Sequence, residues 1–192
     1  MAAQSHPAGG TRLQHRLRGW LRLILPLAID SLSDFPPSTI EAFLSSCAGE
    51  WIALRSQFAP INPSQEDDTW HDSERGEIKV DYLAPATGAA PGSLRVTAPG
   101  GNVTTLTFLA DGQAIFAAST QETASGTWQF WPDGTLELGC PAGEGKVSER
   151  IWFAKPNLRL RSSLAHRPDG EPGRASFSSE IRRVTRPPSE VL

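Results

Sequence analysis

From Trp51 onward the chain is a succession of short runs with strand character, separated by turn-forming residues. The runs are Trp51–Phe58, Glu77–Leu83, Ser93–Thr97, Val103–Leu109, Gln113–Ala118, Gly126–Trp131, Thr135–Gly139, Val147–Phe153, Asn157–Leu164 and Ala175–Val184. In the second, Ile78, Val80 and Tyr82 alternate with polar residues, the period of a half-buried strand. Trp131-Pro132-Asp133-Gly134-Thr135 reads as a tight hairpin turn. Pro156 demands a break as well, because proline cannot donate to a sheet ladder. Strands and helices do not alternate, which disfavours a parallel α/β sheet. About ten strands at this spacing predict an all-β, antiparallel barrel or sandwich.

The 17 glycines and 16 prolines suit such a turn-rich chain better than a helical bundle. With 192 residues there is room for one domain plus tails. The domain is expected over 38–186, with an extension at 1–37 and a tail at 187–192. In the extension Arg12, Arg16, Arg18 and Arg22 surround leucines. A signal peptide fits poorly, since Arg22 and Pro26 interrupt the apolar run and no small-residue cleavage site follows. The run also falls short of the roughly 20 residues that span a bilayer. A basic amphipathic helix on a membrane surface stays open, but a poorly ordered extension is the favoured reading. Ser38-Thr39-Ile40-Glu41 then fits a capping box. Ile40, Phe43, Leu44 and Cys47 fall on one face of a helix of about three turns, ended by a left-handed Gly49.

The net charge of −3 argues against general nucleic-acid affinity. Two cysteines, Cys47 and Cys140, are too few for a disulfide framework, so a reducing cytoplasm is expected. Neither has a visible activating partner, and both read as structural. His71-Asp72 with Asp67, Asp68 and Glu74 resembles no metal-ligand spacing, and no metal is expected. Trp128, Phe130, Trp131, Trp152 and Phe153 fill a core or line a cavity, and base rates favour the core.

The last three runs carry the remaining chemistry. Glu149 shares a face with Ile151 and Phe153, and an inward carboxylate needs a partner or a ligand. In Asn157–Leu164, Arg159 and Arg161 alternate with Leu158, Leu160 and Leu164, so either set can face inward. Arginine is seldom buried, which by itself favours a solvated arginine stripe. If these strands are neighbours, Glu149, Arg159, Arg161 and Glu180 ring a site suited to an acidic, conjugated molecule.

The string SERIWFAKPNLRLRSS (Ser148–Ser163), followed by ASFSSEIRR (Ala175–Arg183), resembles the C-terminal signature of the phycobiliprotein chromophore lyases of the CpcS/CpeS type. FLSSCAGEWIALRS (Phe43–Ser56) resembles the family's opening helix and first strand. Gly49-Glu50-Trp51 is also similar to the Gly-x-Trp start of lipocalin-type barrels. There a tryptophan plugs one end and an arginine of the last strand, here Arg182 or Arg183, lies across its face. The resemblance implies an antiparallel barrel like those of lipocalins and fatty-acid-binding proteins, with an N-terminal capping helix.

It further implies an enzyme that joins a phycobilin to a phycobiliprotein cysteine through a thioether. Glu149 and Glu180 take catalytic positions, and Arg159, Arg55, Arg161 and Trp152 bind the ligand. Phycocyanobilin or phycoerythrobilin is the substrate, with no permanently bound cofactor. The partner is a subunit of phycocyanin, allophycocyanin or phycoerythrin, and a homodimer or lyase heterodimer is compatible. Neither nucleic acid nor membrane is an expected partner, and the setting is cyanobacterial cytoplasm. Two departures stand out. Aligning on Asp111-Gly112 sets Phe116 and Ala117 where the family carries Trp-Asp, so one acid is expected to be missing. Leu138–Gly143 replaces a polar, tyrosine-bearing strand. A bilin carrier without transfer activity, or a lipocalin-type binder of another apolar acid, are the competing readings.

Overall fold

The computed structural model describes residues 35–58, 71–86, 90–120, 122–143 and 145–184. The expectations for residues 1–34 and 187–192, for Asp67 and Asp68, and for the His71 side chain lie outside the described residues. One helix, α1 (Ile40–Cys47), precedes ten strands. These are β1 (Gly49–Phe58), β2 (His71–Leu83), β3 (Gly92–Thr97), β4 (Val103–Phe108), β5 (Gln113–Ala118), β6 (Thr123–Phe130), β7 (Leu136–Ala142), β8 (Gly145–Lys155), β9 (Leu158–His166) and β10 (Pro172–Arg182). Every neighbouring pair is antiparallel, and β10 returns to β1, closing a barrel with no free edge. The barrel, not the sandwich, is therefore the solution this strand spacing adopts.

Each expected run is a strand, with shifted ends. β2 starts at His71 rather than Glu77, because its polar first half pairs with β1 through Ser56↔Ser73 and Phe58↔His71. Pairing partners, not side-chain propensity, extend it. The hairpin after β6 closes as expected: Gly134 takes φ +82° and Thr135 N–H bonds the Asp133 carboxylate at 2.9 Å.

The helix departs from expectation at both ends. Thr39, not Ser38, is the N-cap, its hydroxyl accepting from Ala42 N–H at 3.2 Å. Ala48 ends the helix in an extended conformation, so it spans only eight residues. Gly49 has φ +135° but opens β1 instead of capping the helix. The positive φ is what calls for glycine; a Cβ there would also lie 2.6 Å from Arg182 Nη1 and displace the end of that side chain.

Phe43, Leu44 and Cys47, one face of α1, are buried in the end of the barrel where β1 and β3 begin. Phe43 meets Phe130 and Phe153 edge-on, with ring centroids at 5.5 and 5.2 Å. Around them Val80, Leu94, Phe108, Leu136, Leu138 and Ile151 project inward. Each such side chain contributes about 1.5–3 kcal/mol through lost contact with water. The outer wall carries some apolar side chains, Leu54 52% and Ile181 56% exposed.

Candidate functional site

β8, β9 and β10 lie side by side, and their register places Arg159 opposite Glu180 and Arg161 opposite Ser178. On β8 the alternation that buries Ile151 and Phe153 also turns Glu149 inward. On β9 the expected preference is reversed. Arg159 is 1% exposed, while Leu158 and Leu160 stand half-buried on the outer wall. A buried guanidinium is stable only with its charge answered. Arg159 Nε donates to Glu180 Oε2 at 2.5 Å, and the guanidinium carbon lies 4.6 Å from the Trp51 ring centroid.

A second arginine completes the network. Arg161 Nη1 donates to Glu149 Oε1 at 3.2 Å, and its Nε lies 3.4 Å from Glu180 Oε1. Glu180, 0% exposed, thus stands between two arginines. Burial alone would raise its pKa, but Arg161, Arg159 and the Arg159 hydrogen bond, helped by Arg55, hold it below the ordinary carboxylate value. For Arg161 burial likewise works against the charge. Glu149 and Glu180 outweigh it and push the pKa up. Among the described residues, Arg161 Nε and Glu180 Oε1 meet only in that 3.4 Å ion pair, without hydrogen-bond geometry, and the buried Arg159 Nη2 has no hydrogen-bond partner. Buried polar atoms are nearly always satisfied by protein or ordered water, so Arg159 Nη2 is a donor that a bound water or a ligand can take up.

These groups border an interior cavity of about 230 Å³. Glu149, Arg159 and Arg161 form its polar side, and Leu94, Leu106, Phe108, Phe116 and Leu138 are among its apolar walls. Arg161 and Val96 also border a second cavity of about 150 Å³, shared with Arg55 and Glu74. Arg55 Nε donates to Ser178 Oγ at 3.3 Å.

Of the residues expected at a site, Glu149, Arg159 and Arg161 share the first cavity, Glu180 bridges the two arginines, and Arg55 lies in the second cavity. Trp152 does not join them. It alternates with Ile151 and Phe153 on β8, so it stands on the outer wall against Phe177, with ring centroids 6.3 Å apart. The missing acid takes a different meaning as well. Phe116 lines the cavity, whereas Ala117 faces out beside Thr105 and Thr123, so a carboxylate at 117 would not reach the interior.

Two features escape the sequence. Cys47, read as structural, borders the cavity, and Trp51 carries two guanidinium groups over its ring, Arg159 as well as Arg182, the latter 4.3 Å from the centroid. Gly-x-Trp points to Arg182, but nothing local points to Arg159. Burial pushes the Cys47 thiol up despite the neighbouring Arg159, and burial with Glu149 nearby does the same to Cys140.

A family model for CpeS-like protein matches residues 115–183. Chromophore lyase CpcS/CpeS 1 of Paulinella chromatophora is 46% identical over 153 residues, covering 79% of this chain and 92% of that protein. Chromophore lyase CpcS/CpeS 1 of Synechocystis sp. is 42% identical over 65 residues, or 34% of this chain and 33% of the relative. Among solved structures, the S-type phycobiliprotein lyase CPES from Guillardia theta matches with a TM-score of 0.56 at 22% identity, covering 77% of this chain and 94% of that one. At that identity the likeness speaks for the barrel itself. Identity sustained over most of both lengths with the Paulinella protein decides the matter: the chain belongs to the CpcS/CpeS family of chromophore lyases.

Proposed function

We propose that this chromophore lyase holds a phycobilin across the two interior cavities and hands it to a cysteine of a phycobiliprotein subunit. The observation that carries the reading is the Arg159–Glu180–Arg161–Glu149 network at one side of the cavity, in which the buried Arg159 Nη2 is left without a hydrogen-bond partner. A linear tetrapyrrole brings what that wall lacks: two propionates as acceptors and pyrrole N–H groups as donors. Arginine forks pair carboxylates well, so Arg161, which borders both cavities, and Arg55, in the second, take the propionates. The Glu149 carboxylate accepts from pyrrole N–H groups and favours the protonated, electrophilic bilin. Glu180 keeps both arginines charged and in place.

Size supports a shared occupancy. Sites for drug-sized ligands measure roughly 300–1,000 Å³, so the cavity of about 230 Å³ takes part of the tetrapyrrole and leaves the rest towards the second cavity. The reaction needs no nucleophile from this chain. The subunit's thiolate adds to the ethylidene carbon of ring A, forming the C–S bond. The π pair of that double bond moves into the ring and is protonated, so the thiol hydrogen ends on carbon and nothing is oxidised. Cys47 and Cys140, both held in the thiol form, do not compete for the bilin. Binding, orientation and proton control are the lyase's contribution.

The test is to mix the protein with phycocyanobilin, and separately phycoerythrobilin, and then add apo-subunits. A red-shifted visible band on mixing, followed by zinc-fluorescent pigment that survives denaturation, is expected. A band without covalent pigment would make the chain a carrier, and no band with either bilin would exclude bilin binding.

A further inference from the structure

The geometry points to Trp51 as a positioning residue for Arg159, setting the plane in which that guanidinium meets the ligand; the inference rests on the bilin-binding reading. A planar guanidinium held at one edge still turns about that bond. Arg159 is held at one edge by Glu180, through Nε, and its Nη2 is buried without a partner. The face of Trp51, 4.6 Å from the guanidinium carbon, supplies the second constraint and aims the free Nη2 at the cavity.

Trp51 is itself fixed by two contacts. Its Nε1 donates to the Cys47 carbonyl at 2.9 Å, and the Arg182 guanidinium lies over its ring, 4.3 Å from the centroid. Arg182 donates in turn to the carbonyls of Ser46, at 2.6 Å, and of Ala48. Carbonyls at the end of α1 therefore hold Arg182, Arg182 holds Trp51, and Trp51 holds Arg159. Trp51 does not border the central cavity, whereas Arg159 does. Cys47, whose carbonyl accepts from Trp51, borders the cavity too and offers a second route; the effect of Trp51 on the bilin is assigned to the route through Arg159.

That route gives a signature that loss of structure alone does not. Bilin dissociation constants and the position of the bound-bilin band are measured for wild type, W51L, R159A and W51L/R159A. Circular dichroism and urea midpoints report folding in parallel. W51L removes a desolvated cation–π contact and is expected to weaken bilin binding roughly ten- to thirtyfold and to shift the band. In the R159A background the same substitution is expected to change neither beyond about twofold, because the group it positions is gone. An equal W51L penalty in both backgrounds would overturn the inference. If R159A itself leaves bilin binding intact, the site reading fails first, which separates the two outcomes. Should W51L not fold, W51F keeps an aromatic face; a several-fold loss confined to the Arg159 background supports the inference, and a loss that persists without Arg159 overturns it.

Discussion

Removing the Glu180 carboxylate would leave the buried Arg159 without its ion-pair partner and Arg161 with one carboxylate, Glu149. Breaking a buried ion pair from one side typically costs about 3–5 kcal/mol, because the partner's charge stays buried. E180A is expected to lose stability in that range in urea denaturation. The pH dependence follows from the direction of the shift. Glu180's folded pKa lies below its unfolded value, near about 4.3, so its stabilisation is complete above that pH. It fades as pH falls through the folded value. Wild type is therefore expected to exceed E180Q in stability at pH 7 and to converge on it in strong acid; a constant gap down to acid pH would contradict the assignment. The exposed Arg183–Glu77 pair, at 3.3 Å, is the contrast. R183A is expected to change stability by no more than about 1 kcal/mol.

Among the elements, β5 and β6 carry the sharpest tests of how the wall is built. Gly126 on β6 has no room for a side chain, since a Cβ there would collide with the Gly139 carbonyl oxygen and lie 2.7 Å from Phe116 Cε2. G126A is expected to cost about 1–3 kcal/mol, read from the urea midpoint, because backbone must move. On β5 the alternation that sends Phe116 inward sends Ala117 out. A117D is accordingly expected to leave bilin affinity unchanged within about twofold, and a clear gain would mean that the register is wrong. Elements of this kind were legible in the sequence because alternation and turn residues act locally. The ends were not: the cap at Thr39 and the start of β2 at His71 depend on which chain lies alongside, and a single sequence does not state that.

At the scale of the whole molecule, barrel closure is what makes the site. It brings Arg182 of β10 back onto Trp51 of β1, and it sets Arg55 against Ser178. The inward turn of Glu149 was readable from Ile151 and Phe153 beside it. The inward turn of Arg159 was not readable from alternation, which is equally consistent with leucines inside; only the resemblance chose correctly. Trp152, expected among the ligand contacts, stands on the outer wall against Phe177, because an aromatic next to a site in sequence need not face it.

The central claim is that carboxylates and guanidinium groups from β8, β9 and β10 act together on one bilin. Covalent transfer to an apo-phycobiliprotein subunit, quantified by zinc fluorescence, tests it most directly for wild type, E149Q and R159A, each checked for folding. The account predicts at least about tenfold less covalent pigment from each folded variant, the loss of one charge-assisted contact. Wild-type yields from both would contradict it.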